Sequence, residues 1–387
     1  MSANDAVVEI DPEGDLHIEV VEYDDSDDLD NHEHRPVRVT ARFKVSRKVL
    51  LEKSKSAPFK AMLSGAFKEG RSDVVTLHED SADSIELWLR CFYGAFTEKC
   101  YELPIDEVWN AVGVGRKYLF HGEMLNDWFA TFYNRQDMHG LKLDELKEWL
   151  YPCMAFDHAQ GFAFVTKALV DHSPGHIQER NHSRYPDLHV EGRVIQQLNA
   201  ARGSIRKEII KGIFSPLDEI CKRRCAVRAE SCMAYVDAIR RTGVWPLEEL
   251  NSKSNRNIVN SSGFVNWTCE KPEKACMSCL SNLDGKNIIR TRETVLKYWH
   301  GLCLDCMDTS NPRTGNLDSD YWFHHNMGNY GDGCRIDHDR NTWYFSFMGR
   351  PEAMDSFRRG QRDRKKAREA SQRGFKRKRS ERDADES

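Results

Sequence analysis

"VRVTARFKVSRKVLLEKSKSAPFKAMLSGAFKEG", Val37 to Gly70, decides how the first part of the chain is read. Its opening alternates strictly. Val37, Val39, Ala41, Phe43 and Val45 point one way and Arg38, Thr40, Arg42 and Lys44 the other, the pattern of a half-buried strand. Its end, from Phe59, starts as a helix and finishes as a loop carrying Phe67, Lys68 and Glu69. Two readings of that loop compete. Either Phe67 folds back into a local core and Glu69 is solvated, or the two form a docking point for another protein.

A shorter strand is predicted before this stretch, at Leu16 to Val20, joined to it by "EYDDSDDLDNHEHRP", a loop too acidic to pack. A third follows at Asp73 to Glu79, with Val75 and Leu77 inward. Helices come next. Ser81 is placed as an N-cap, Gly94 as a stop, and Ile85, Trp88, Leu89, Phe92 and Tyr93 share one face between them. The stripe recurs through Ile105, Val108, Trp109 and Val112, and again through Leu125, Trp128, Phe129 and Phe132. A small sheet with helices along one side makes an α+β domain ending near Tyr133.

The order "GDLHIEV", "RFKVSRKVLLEKSKSAPFKAMLSGAFKEG", "DVVTLHEDSADSIELWLRCFYG" and "RKYLF" resembles a BTB/POZ domain spanning residues 14–134. The chain departs from that family in Ser46-Arg47-Lys48, where many members carry a His-Lys pair, and in the length of the acidic loop. The resemblance implies a protein-interaction module without catalysis. It implies a homodimer, and docking onto the cullin scaffold of a ubiquitin ligase. In such adaptors an apolar-x-Glu triplet follows the helix pair, and Phe67-Lys68-Glu69 matches it in type and place.

With 387 residues the chain has room for two or three domains. Its net charge of -4 is unevenly spread, since no Lys or Arg occurs from Met1 to His34 whereas "RRGQRDRKKAR" and "FKRKR" crowd the other end. Residues 1–13 are expected as a disordered acidic N-terminus and 351–387 as a disordered basic tail. No apolar run approaches the roughly 18 residues of a membrane span, and no basic-then-apolar signal pattern opens the chain. The twelve cysteines are accordingly read as intracellular thiols or metal ligands, and the protein is expected in the nucleus, the cytoplasm or both.

Residues 135–252 are predicted as a helical extension. Val190, Val194, Leu198, Ala201, Ile205 and Ile209 recur by fours and threes. Cys221, Cys225 and Cys232 are placed on one face of a single helix, either as core residues or as thiolates that bind a metal with a ligand from elsewhere.

A Cys-rich zinc-ribbon-like module is expected over 265–350. Cys276-x-x-Cys279 and Cys303-x-x-Cys306 are two knuckles that together complete a four-thiolate zinc site. Structural zinc contributes about 10–16 kcal/mol in small peptides, enough to fold a module this poor in apolar residues. Cys334-x3-His338, with His325, offers a second site. No Cys-x-His lies between the two knuckles, so the RING pattern is incomplete. "NTWYFSFMGRPE" alternates as a strand that covers the metal. The segment from "WHGLCLDCM" through "TWYFSFMGRPE" resembles the Cys-rich C-terminal part of BTB proteins of filamentous fungi.

No nucleophile elbow, Walker loop or HExxH motif occurs, so a non-enzymatic interaction protein is expected. The alternative is a nuclear transcription or chromatin regulator whose zinc module and basic tail contact nucleic acid.

Overall fold

The computed structural model describes residues 7–23, 37–64, 72–308 and 333–350, with scattered positions between 355 and 369. Phe67, Glu69 and His325 lie outside the described residues, as do most of the acidic loop and of the basic tail. The described chain is mixed α+β and mostly helical. It divides into two units, Met1–Gly161 with Gln178–Val190 and Phe162–Ile177 with Glu191–Ser387.

The first unit is built on one four-stranded sheet of order β1-β3-β2-β4. Its strands are β1 (Val7–Glu9), β2 (Leu16–Tyr23), β3 (Val37–Val45) and β4 (Val74–His78). β2 and β3 run antiparallel, with Ile18 opposite Phe43, and β4 lies parallel to β2 on its other side. A register shift between Val20 and Val21 buries both side chains, which lengthens β2 beyond its predicted end. The expectation of disorder over residues 1–13 is corrected for the described part: β1 pairs parallel with β3, Val8 opposite Phe43, and occupies an edge that would otherwise expose unpaired backbone.

Helices α1 (Arg47–Lys53) and α2 (Ala57–Leu63) follow β3. Ser56 caps α2 by accepting from Phe59 N–H at 3.1 Å, and its own hydroxyl donates to the Tyr118 carbonyl. α3 (Ala82–Tyr93) begins at Ser81 and ends at Gly94, whose φ of 62° is the left-handed stop expected of glycine. α4 (Ile105–Tyr118) packs on α3 closely enough that Trp88 Nε1 donates to the Ala111 carbonyl at 2.8 Å. α5 (Asn126–Asn134) and α6 (Leu143–Ala155) complete an aromatic core in which Trp128 stacks on Phe132 and Phe132 on Trp149. The unit therefore continues past residue 134: Trp109 stacks on Tyr151 and donates to the Glu148 carbonyl, which binds α6 to α4.

A buried carboxylate ties the returning segment to this unit. Asp80, fully buried, accepts from Tyr118 Oη at 2.5 Å, Lys117 Nζ at 2.8 Å and Tyr185 Oη at 3.3 Å. The Tyr185 ring sits where a Cβ on Gly113 would be, 2.2 Å from its nearest carbon. Only glycine allows that approach.

The second unit takes most of α7 (Ala159–His172), α8 (Gly192–Cys221) and α9 (Arg228–Thr242), so residues 135–252 are not one extension but are shared between the units. α8 buries Val194, Leu198, Ala201, Ile205 and Ile209 of the predicted stripe and adds Ile213 to it, whereas Val190, expected on the same stripe, precedes the helix. Against it pack α9, α12 (Met277–Leu283) and α13 (Lys286–Leu296). The short helices α10 (Asn255–Val259) and α11 (Ser262–Val265) connect them. α14 (Leu304–Met307) and α15 (Arg340–Met348) close the unit. The segment expected as a covering strand is thus a helix. Asp339 caps it, accepting from the N–H groups of Asn341 and Thr342, and Trp343 and Phe347, one turn apart, stack at 4.6 Å. None of the helices among the described residues is long and apolar enough to cross a membrane.

Candidate metal centres

Among the described residues, two groups of cysteine and histidine side chains can hold a metal ion, both in the second unit. They regroup the predicted ligands. Cys276 and Cys279 do not share a site with Cys303 and Cys306. The first pair converges with Cys225, and the second with Cys334 and His338. The single four-thiolate set is corrected to two separate groups, because the sulfurs of each knuckle cluster within 4.8 Å of other side chains rather than with the other knuckle.

The Cys303 group is built around the short helix α14. Cys303 is its N-cap and Cys306 lies within its single turn, so both sulfurs leave on one side. Cys334 and His338 arrive from the segment before α15. Cys306 Sγ is 3.6 Å from Cys334 Sγ and 3.4 Å from His338 Nε2, and all four donor atoms lie within 4.8 Å of one another. A tetrahedral ion with metal–sulfur bonds of about 2.3 Å spaces its sulfurs about 3.8 Å apart, so the donors stand at ligand spacing. Cys303, Cys306 and His338 are buried, and Trp343, Phe347 and Met348 pack against the two cysteines.

Surrounding groups hold this arrangement. His338 Nδ1 lies 3.0 Å from the Asp339 carbonyl, a bond that puts its proton on Nδ1 and leaves Nε2 facing the sulfurs. Three hydroxyls catch the turn leading into Cys303: Thr342 accepts from His300 N–H, Thr166 from Leu302 N–H and Ser346 from Cys303 N–H, at 2.9, 2.9 and 2.8 Å. Gly301, at φ 102°, passes so near the Ala163 carbonyl oxygen that a Cβ would meet it at 2.0 Å. Arg335 bonds Asp305 through its backbone N–H and its guanidinium, linking the Cys334 segment to α14.

The electrostatics match a set of donors crowded together. The hydrogen bond from Cys306 and the neighbouring His338 outweigh burial and pull the Cys303 thiol down to about 4. Its partner Cys306 is pushed far up, by hydrogen bonding to Cys303 and then by burial. Burial opposes the charged form of His338, yet the bonds to Cys303 and to the Asp339 carbonyl leave its imidazole raised. A cation bound there would replace the protons that these groups otherwise share.

The Cys225 group has three donors within 4.8 Å. Cys276 is the N-cap of α12 and Cys279 sits one turn in, their sulfurs 3.6 Å apart. The Cys276 thiol is lowered by hydrogen bonds from the Cys279 backbone and side chain, while burial and the adjacent Cys276 push Cys279 up to about 12. Cys225 reaches them from the turn between α8 and α9. The continuous helix expected over Cys221, Cys225 and Cys232 is broken there, since α8 stops at Cys221 and α9 starts at Arg228. The break sends Cys225 to the knuckle and leaves Cys221 facing Cys232, sulfur to sulfur at 3.4 Å.

Comparison of the chain with protein-family models, with curated proteins and with solved structures gave no match.

Proposed function

We propose that the protein is a non-enzymatic interaction protein, in which a BTB-type first unit dimerises and docks partner proteins and structural zinc maintains the second unit. One observation carries the reading of the first unit. Its elements follow the order that the resemblance implies: an antiparallel strand pair, two short helices, a third strand beside the first of the pair, then packed helices. The docked partner is a cullin scaffold, engaged through Phe67 and Glu69. Full-length protein should co-purify with a cullin, and Phe67→Ala with Glu69→Ala should abolish this. Undiminished capture by the double variant would remove those residues from the interface.

Zinc is supported by the chemistry of the donors. Thiolates with one imidazole at tetrahedral spacing favour zinc over calcium, magnesium or manganese, and Cys303, Cys306, Cys334 and His338 fill all four positions of such an ion. A closed ligand set leaves no position for substrate, which makes the centre structural. The Cys225 group supplies three ligands, and a water or a further donor completes its ion. Metal analysis of protein purified without added zinc tests the assignment, and iron or no metal in place of zinc would contradict it.

A further inference from the structure

Outside the two metal groups, one pair of thiols is in contact. Cys221 ends α8 and Cys232 lies in the second turn of α9, with their sulfurs 3.4 Å apart. Cys221 is exposed and Cys232 half-buried. The other thiols outside the groups are occupied or shielded. Cys100 and Cys153 are buried, Cys91 donates to the Met124 carbonyl and Cys269 to the Glu270 carbonyl.

We propose that Cys221 and Cys232 are a reversible redox modification site, which hydroperoxides convert into an intramolecular disulfide. A disulfide needs its sulfurs at about 2.05 Å, so they must approach by about 1.4 Å. Cys221 is at a helix end and is joined to α9 by a short turn, so it can make that movement.

The exposed Cys221 reacts first. Its thiolate attacks one peroxide oxygen, the O–O bond breaks, and the departing hydroxide takes a proton to leave as water. Cys221 is then a sulfenic acid. Cys232 gives up its proton and attacks the Cys221 sulfur. The S–S bond forms, the S–O bond breaks, and a second water leaves. Two thiols lose two electrons and two protons, and one hydrogen peroxide becomes two waters. A dithiol reductant reverses the change.

The consequence lies in what the bond encloses. The turn between the two cysteines carries Cys225, so the disulfide staples the segment that delivers a ligand to Cys276 and Cys279. This inference goes beyond the interaction function and requires neither centre to be filled.

The test treats full-length protein, metal-loaded as purified, with one equivalent of hydrogen peroxide, then alkylates it and maps peptides without reduction. The expected result is one Cys221–Cys232 linked peptide, two thiols lost per chain, and recovery with dithiothreitol. In Cys232→Ser, Cys221 should stop as a sulfenic acid trapped by dimedone, whereas in Cys221→Ser the Cys232 thiol should remain unlabelled. Linkage between chains, linkage that uses Cys225, Cys276 or Cys279, or oxidation elsewhere while Cys221 and Cys232 stay reduced would overturn the proposal. It would equally be overturned if both thiols resist alkylation until zinc is chelated, since they would then be metal ligands.

Discussion

The backbone N–H of Cys303 donates to the hydroxyl of Ser346 at 2.8 Å, which fixes a ligand-bearing turn to the middle of α15. Ser346 Oγ in turn donates to the Thr342 carbonyl, so one buried hydroxyl serves both segments. Removing it leaves a buried donor unpaired, at a cost of about 1–3 kcal/mol, and loosens a group that orients a ligand. Ser346→Ala should weaken zinc binding roughly tenfold or more, as measured by competition with a chromophoric chelator. Unchanged affinity would show that Cys303 is positioned without this bond.

Gly301 makes a sharper demand on the same turn. Its left-handed φ of 102° and a Cβ clash with the backbone of Ala163 both exclude other residues. Gly301→Ala should destabilise the second unit by about 3 kcal/mol, seen as a lower urea midpoint. Gly192→Ala, with open space around the new methyl, serves as the control that should stay near wild type.

Acid should destabilise the metal-free protein through Cys303. Its folded value of about 4 is below the ordinary thiol value of 9.0. Its contribution is therefore complete above the unfolded value, shrinks as pH falls and is gone below about 4. His338, raised above 6.5, acts oppositely: its contribution is complete below the unfolded value and lost as pH rises through the folded one. The thiolate has the larger shift and should dominate between about pH 7 and pH 4. Urea midpoints of chelator-treated protein should fall across that window, and Cys303→Ser should flatten the fall. A parallel fall in the variant would assign it to other groups.

In the first unit, Asp80 carries a comparable structural burden. Its buried carboxylate accepts from two tyrosines and a lysine. Asp80→Ala strands these donors and should cost about 3 kcal/mol. Tyr185→Phe removes only one long bond and should cost about 1 kcal/mol. A cost for Tyr185→Phe as large as that of Asp80→Ala would mean that the network depends on Tyr185 rather than on the carboxylate.

Periodicity made much of this fold legible in the residues. The alternation of β3, the stripe of α3 between Ser81 and Gly94, and the long apolar face of α8 are local signals, and each lies where its spacing placed it, save that α8 begins after Val190. The errors arise where partners are remote. "NTWYFSFM" alternates like a strand, but the Asp339 cap and the turn-to-turn stacking of Trp343 on Phe347 make a helix. Val7–Glu9 forms a strand only because β3 offers it an edge.

The cysteine knuckles were legible one by one and misleading as a pair. A Cys-x-x-Cys spacing fixes two donors on one turn and carries no information about the other two. Those come from Cys334 and His338, and from Cys225 across a helix break that the composition of "CKRRCAVRAESC" does not announce.

Zinc stoichiometry in single variants tests the separation of the two centres most directly. Purified protein should carry about two zinc ions per chain. Cys334→Ser and Cys276→Ser should each retain one, and combining them should leave none. One ion per chain, lost alike from Cys276→Ser and Cys303→Ser and kept in Cys334→Ser, would instead mean that the two knuckles share a single ion.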